Sequence, residues 1–314
     1  MTNPDHRLGW EDVPDHLTEK FTAVFGAPVA TEQRQTGGFS PGLASRLVLA
    51  DGQRVFVKAI HEGRDPHTPG LYRREIEVTK TLPPAAPAPR SLWTYDDGDW
   101  VMLAFEDIDG HTPAQPWQPQ ELERVVATLA DMADALTPAP ADTVPATEDL
   151  AVPYSSWRRL SAGEGPARAE ALPDWARENL PLLTDLEKDW AAAAAGDTLA
   201  HTDLRADNML LTPERVVLVD WPYAVAGAPW LDLLMMLPSV AAYSPQVDPE
   251  QVWRDYRHAA GVDADAVNAV LAAIAGDYLT QCQQPDPPNI PTLRPHQRAK
   301  GEATLRWLRA RLKS

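Results

Sequence analysis

The stretch that most limits how this chain can fold runs from His201 to Asp220. It reads His201-Thr202-Asp203-Leu204-Arg205-Ala206-Asp207-Asn208 and continues into two apolar, β-rich runs. These are Met209-Leu210-Leu211 and Val216-Val217-Leu218-Val219, parted by Thr212-Pro213-Glu214-Arg215. Short runs of this kind around a turn predict a β-hairpin. A hairpin returns the chain to where it began, so Asn208 and Asp220 are expected at one end of it. Asp203 lies in the loop just before.

That convergence matches what phosphoryl transfer from a nucleotide requires. A carboxylate must meet the hydroxyl that attacks the γ-phosphate, orient it and take its proton; Asp203 is the candidate. An amide oxygen and a second carboxylate must hold magnesium against the phosphate oxygens; Asn208 and Asp220 are the candidates. The competing structural reading makes Asp203 a helix N-cap, Asn208 a turn residue and Asp220 a strand end. The upstream sequence weighs against it.

There, Thr36-Gly37-Gly38-Phe39-Ser40-Pro41-Gly42 precedes Leu47-Val48-Leu49, and Asp51-Gly52 turns the chain into Val55-Phe56-Val57-Lys58-Ala59-Ile60. Glycines let backbone approach phosphates closely, and free N–H groups or a hydroxyl can donate to their oxygens. Gly38 and Ser40 are the candidates, although such a segment also reads as an ordinary turn. An ammonium inside an apolar strand is costly to bury alone, so Lys58 needs a partner or an exposed face. As a functional residue it grips the α- and β-phosphates. Residues 71–82 predict a helix with Leu71, Glu75, Val78 and Leu82 on one face. That sets Glu75 inward as the partner of Lys58; paired with Arg73, Arg74 or Thr79 it would be a surface residue. Trp100 to Phe105 is an apolar strand running into Glu106-Asp107. Phe105, Glu106 and Asp107 are therefore placed at a hinge, where adenine binds between apolar side chains and exposed backbone groups.

The order of glycine loop, Lys58, Glu75, hinge, His201 to Asn208, and Val219-Asp220-Trp221 with Gly227 and Asp232 beyond resembles the aminoglycoside phosphotransferase family, also called choline-kinase-like, over about residues 34–235. The resemblance implies an α+β, bilobal protein-kinase-like fold. A small N-terminal antiparallel-sheet lobe, residues 1–105, would bind nucleotide, and a larger, mainly helical C-terminal lobe, residues 106–314, would carry catalysis and the acceptor. It implies ATP and Mg2+ as cofactors and a hydroxylated small molecule as acceptor. An antibiotic, aminoglycoside or hydroxylated nucleoside, leads, with a sugar, choline-like alcohol or other metabolite behind it. In the family's terms Asp203 is the catalytic base, Asn208 and Asp220 are magnesium ligands, Lys58 is the phosphate clamp partnered by Glu75, and Asp232 is a structural carboxylate. His201 reads either as support for the catalytic loop or as a satisfied core histidine. Only Trp221 to Leu231 part Asp220 from Asp232, too few for a peptide-docking activation segment, which argues against a protein acceptor. A nucleotide-binding pseudokinase would share the fold without needing Lys58, Asp203, Asn208 and Asp220 together.

Lys+Arg 28 against Asp+Glu 45 gives a net charge of -17, which argues against nucleic acid or an anionic membrane as partner. Cys282, a single cysteine, forms no intrachain disulfide, and the N-terminal residues lack a signal-peptide pattern, so a cytoplasmic location is expected. Amphipathic helices are expected over Leu17 to Phe25 and Glu121 to Leu136, and a short one over Asp189 to Ala195. Acceptor contacts should come from the C-terminal helices; Trp221, Tyr223 and Asp255 are the candidates for that pocket. Arg294 to Lys313 reads as a docking helix with its charges in water.

Overall fold

The computed structural model describes residues 7–35, 40–286 and 292–313. Its N-terminal third is built on a five-stranded antiparallel sheet in the order β1-β2-β3-β5-β4. The strands are β1 (Val29–Arg34), β2 (Leu43–Leu49), β3 (Arg54–His61), β4 (Ser91–Asp96) and β5 (Trp100–Glu106). The hairpin at Asp51-Gly52 forms as its turn residues predict, with Gly52 at φ +89°. Strand side chains alternate between faces. Leu43, Leu47, Val55, Val57, Ala59, Met102 and Ala104 therefore meet Leu17 and Phe21 of α1 (Asp15–Phe25). Burying each of those two helix anchors contributes roughly 1.5–3 kcal/mol. Ile60, Val101, Leu103 and Phe105 turn to the other face, against Tyr72 and Ile76 of α2 (Thr68–Thr81).

The remainder is mainly helical: α3 (Pro119–Ala135), α4 (Ala146–Asp149), α5 (Ser156–Ser161), α6 (Asp174–Glu178), α7 (Leu180–Glu187), α8 (Trp190–Ala194), α9 (Leu231–Tyr243), α10 (Pro249–Asp255), α11 (Ala264–Gln281) and α12 (Leu293–Arg311). Helix α11 is apolar nearly all round, with Val267 to Gly276 buried, as a central helix must be. It packs against α12, α8, α7 and α5. Cys282 caps its C-terminal end. Two short sheets interrupt the helices: β6 (Thr198–Ala200) pairs with β9 (Val225–Gly227), and β7 (Met209–Leu211) with β8 (Val216–Leu218). Among the described residues, no helix is long and apolar enough to cross a membrane. An antiparallel-sheet lobe followed by a helical lobe is the fold class expected from the sequence.

Candidate active site

Alternation along β3 decides where Lys58 goes. Val55, Val57 and Ala59 face α1, so Phe56, Lys58 and Ile60 face α2. The stripe that α2 buries is Tyr72, Glu75 and Ile76, one residue round from the predicted Leu71 face, and Glu75 is still within it at 2 % exposure. Lys58 Nζ lies 2.8 Å from both Glu75 carboxylate oxygens and 2.8 Å from Asp220 Oδ1. Burial works against the ammonium, but Asp220 and Glu75 together hold its pKa above the ordinary lysine value. Lys58 is thus a fixed cation spanning the sheet and the helical half.

The loop from His201 to Asn208 is anchored from α9. Asp232 is buried, and its two carboxylate oxygens accept the backbone N–H groups of His201 at 2.9 Å and Thr202 at 2.8 Å. Thr202 is held at φ +62°, a strained setting for a β-branched residue, and its Oγ1 donates to the Tyr223 carbonyl at 2.7 Å. His201 Nε2 sits 3.1 Å from the Val219 carbonyl, which can only accept, so the proton is assigned to Nε2. Nδ1 then accepts the Asp203 N–H at 3.3 Å. Burial lowers the His201 pKa, and its ring packs edge-on against Trp221 with centroids 4.6 Å apart. Both open readings of His201 hold at once: it is a satisfied core histidine and it supports the loop.

Asp203 presents its carboxylate beside Asn208 and Arg205. Asn208 Nδ2 donates to Asp203 Oδ2 at 3.0 Å and to the Asp203 carbonyl at 2.8 Å, and Arg205 Nη1 lies 3.5 Å from Oδ2. Burial raises the Asp203 pKa, opposed by Arg205 and Lys300. Beyond Asn208 the β7–β8 hairpin forms, and the Val219 N–H returns to the Asn208 carbonyl at 2.9 Å, bringing Asp220 back to the same end. The Asn208 amide nitrogen is used by Asp203, and Asp220 commits Oδ1 to Lys58. One amide oxygen and one carboxylate oxygen remain, hard donors that suit Mg2+. Among the described residues no cluster of three or more His, Cys, Asp or Glu could hold a metal, so phosphates and water would complete the six-oxygen shell that Mg2+ demands.

Asn208 and Asp220 line one cavity of about 330 Å³ with Ser40, Phe56, Lys58 and Phe105. Phe105 and Phe56 are register partners on β5 and β3 and give it apolar walls. The Glu106 N–H is used by the Arg90 carbonyl at 3.0 Å, and its carboxylate meets Arg215 at 2.6 Å, tying β5 to the β7–β8 turn. Asp107 also borders the cavity, but its carboxylate faces Arg46 at 3.1 Å and Arg54 at 2.7 Å, so its charge serves those arginines. Ser40 Oγ accepts the Gly42 N–H at 3.1 Å and lies 3.1 Å from the Tyr72 hydroxyl. Gly38 lies outside the described residues.

The three residues placed at the acceptor pocket separate. Trp221 is 1 % exposed and its Nε1 donates to the Leu218 carbonyl at 2.7 Å, so it is a core residue under the loop. Asp220, just before it, is held at a positive φ of +70°. Tyr223 is exposed, its carbonyl accepts Thr202 Oγ1 from the loop before Asp203, and its pKa is pushed up to about 12 by burial and by Asp203 and Asp220. Asp255 ends α10 on an exposed face, where it accepts Gln251 Nε2 at 2.9 Å; among the described residues no hydrogen bond or ion pair links it to Asp203. Sequence reasoning missed Arg205, Tyr72 and Arg7. Arg205 stands inside the motif itself. Tyr72 was visible one step from Glu75 on the buried stripe. The third, buried Arg7, donates to the Ser40 carbonyl at 3.1 Å and also to that of Gln35, and carried no sequence signal.

The phosphotransferase enzyme family model matches residues 38–270. The thiamine kinase of Salmonella typhimurium strain LT2 is 26% identical over 258 residues, covering 77% of this chain and 81% of that protein. Among solved structures, a thermostable mutant of aminoglycoside phosphotransferase APH(4)-Ia in ternary complex with ADP and hygromycin B superposes with a TM-score of 0.62 at 15% identity, covering 94% of this chain and 98% of the other. Aminoglycoside phosphotransferase APH(3'')-Id from Streptomyces rimosus, in complex with ADP and streptomycin, gives 0.52 at 18% identity, covering 83% and 98%. These two establish likeness of fold. The family match spans most of the chain, and this protein belongs to the phosphotransferase enzyme family, kinase-like enzymes that phosphorylate small molecules.

Proposed function

We propose that this chain transfers the γ-phosphate of ATP, bound with Mg2+, to a hydroxyl of a small metabolite. The observation that carries the reading is that Lys58, Asn208 and Asp220 line one cavity, with Lys58 2.8 Å from Asp220 and Asp203 held 3.0 Å from the cavity-lining Asn208. Adenine would lie between Phe56 and Phe105, and the phosphates would run toward Lys58. Asn208 and Asp220 would hold Mg2+, which supplies charge neutralisation along the phosphates. Asp203 accepts the proton of the attacking hydroxyl, and its raised pKa makes it a stronger base than an exposed aspartate. Asp232 and His201 keep the loop that carries it in place. The products are a phosphate monoester and ADP.

The acceptor expected first from the resemblance, an antibiotic, is supported by likeness of fold alone. The relatives matched in sequence are thiamine kinases, which favours a metabolite alcohol. Titrating Mg-ATP into the wild type and Asp220→Ala tests the nucleotide half of the reading. The wild type should bind in a magnesium-dependent way and the variant should lose that dependence. Unchanged magnesium dependence in the variant would remove Asp220 from the metal site.

A further inference from the structure

The chain before α1 runs alongside β1. The Trp10 N–H donates to the Glu32 carboxylate at 3.0 Å, and Arg7 donates to the carbonyl of Gln35, the residue that follows β1. Followed back from Trp10 to Arg7, the partners climb from Glu32 to Gln35, so the segment lies antiparallel to the strand. Leu8 and Val13 hold it there, buried in the core that the sheet shares with α1. A turn stiffens it: the Gly9 N–H donates to the Asp12 carboxylate at 2.8 Å and the Asp12 N–H to the Gly9 carbonyl at 3.1 Å. Arg7 is thereby set at the end of β1, at 8 % exposure rather than in water.

Its guanidinium is used twice there. Nε donates to the Ser40 carbonyl at 3.1 Å, and Nη1 donates to that of Gln35. A planar fork of N–H groups holds two carbonyls at once, which an ammonium on a flexible stem does poorly. Gln35 and Ser40 flank residues 36–39 in the sequence, so one cation ties together the backbone on either side of them. Ser40 leads inward from this clasp. Its Oγ lies 3.1 Å from the Tyr72 hydroxyl, and the Tyr72 ring centre is 5.8 Å from Lys58 Nζ. A Cβ on Gly42 would fall 2.6 Å from the Ala59 carbonyl oxygen and 3.1 Å from the Tyr72 hydroxyl, so glycine lets the backbone here lie close against Tyr72. Strand register orders the rest. Arg46 stands opposite Phe56 and Ala44 opposite Lys58, so Gly42 and Ser40 come further along, on the side of Lys58 away from Phe56. Arg7, Ser40, Tyr72 and Lys58 all line the cavity of about 330 Å³. Arg7 therefore stands at its Lys58 end, where the phosphates would lie, and not at its Phe56 wall.

We propose that Arg7 is a positioning residue for the nucleotide phosphates. It fixes the backbone at Gln35 and Ser40 against the phosphate end of the cavity and adds a second buried positive charge to that of Lys58. This rests on the nucleotide site proposed above and deepens it. Arg7 lies outside residues 38–270, which the family model matches, so the segment before α1 completes the site from beyond the family's shared region. Attraction to a fixed cation grows with the charge of the ligand, so Arg7 should matter most for a triphosphate and least for a monophosphate.

The test measures dissociation constants for Mg-ATP, Mg-ADP and AMP in the wild type, Arg7→Met and Arg7→Lys, with the melting temperature of each protein. The adenine contacts are common to the three ligands and serve as an internal control. Arg7→Met should weaken Mg-ATP by about tenfold or more, the scale of one charge-assisted hydrogen bond, Mg-ADP by less, and AMP by less than about twofold. Arg7→Lys keeps the charge without the fork and should recover part of the loss. Mg-ATP affinity within about twofold of wild type in Arg7→Met overturns the proposal. So do equal losses for Mg-ATP and AMP, which would mean that Arg7 only holds the sheet lobe together. Should Arg7→Met fail to fold, Arg7→Lys carries the same comparison, and its loss must again be larger for Mg-ATP than for AMP. If the wild type binds no Mg-ATP, the kinase reading itself fails, and the proposal falls with it.

Discussion

Replacing Asp232 by asparagine should damage catalysis from a residue that touches neither nucleotide nor acceptor. The Asp232 carboxylate is buried and uses one oxygen for the His201 N–H at 2.9 Å and the other for the Thr202 N–H at 2.8 Å. Asparagine offers one oxygen, and its amide group would set a donor against the second N–H. A hydrogen bond to a charged group contributes about 1.5–3 kcal/mol, and a buried N–H left unmet costs about 1–3 kcal/mol, so the loop should lose about 2–4 kcal/mol. At about 2 °C per kcal/mol for a chain of this size, the melting temperature should fall by about 4–8 °C. The same contacts hold Thr202 at φ +62°, a conformation that costs about 1–3 kcal/mol and relaxes once its anchor weakens. Asp203 follows directly in the chain, and displacing a reacting group by about 1 Å costs about 10²-fold in rate. Thermal unfolding with steady-state kinetics measures both effects, and the KM for Mg-ATP should move little. A variant with its melting temperature within about 1 °C of wild type and kcat within about twofold would refute the anchoring argument.

Lys58→Met leaves Glu75 buried without its cation, which should destabilise the protein by about 3–5 kcal/mol and raise the KM for Mg-ATP. Adding Glu75→Gln should restore much of the stability and none of the nucleotide affinity, as chemical denaturation and binding titrations would show. As the proposed base Asp203 must be ionised, and burial raises its pKa above the ordinary carboxylate value. The value of kcat/KM should therefore fall as pH is lowered through that raised pKa, at a higher pH than for an exposed aspartate. A profile flat down to about pH 4 would contradict the assignment.

Where local physics decides, the sequence was legible. The β2–β3 hairpin follows from Asp51-Gly52 between apolar runs, and the β7–β8 hairpin delivers Asn208 and Asp220 to one end because its turn leaves no other path. Lys58 and Glu75 could be paired because period two on a strand and a three- to four-residue step on a helix each name a face. Strand β1 went unread because it alternates weakly at the edge of the sheet, and β4 because it is only half-buried. Trp221 was misplaced because residue type does not say whether an aromatic side chain lines a cleft or fills the core; here it is buried, with its Nε1 donating to the Leu218 carbonyl. On α12, expected to keep its charges in water, Lys300 looked like its solvated neighbours Arg298 and Arg309 but is buried; a Cβ on the next residue, Gly301, would fall 2.8 Å from Leu279 Cγ, so the close approach of α12 to α11 that buries Lys300 shows in the sequence only as that glycine.

The central claim is most directly tested by following Mg-dependent ADP release and acceptor mass across sugars, polyols, amino alcohols, thiamine and aminoglycosides, with Asp203→Asn alongside. One acceptor should gain a single phosphoryl group. Asp203→Asn should bind Mg-ATP while losing about two to four orders of magnitude in turnover. Near-normal turnover in that variant, or a wild type that binds Mg-ATP and phosphorylates nothing, would contradict the account.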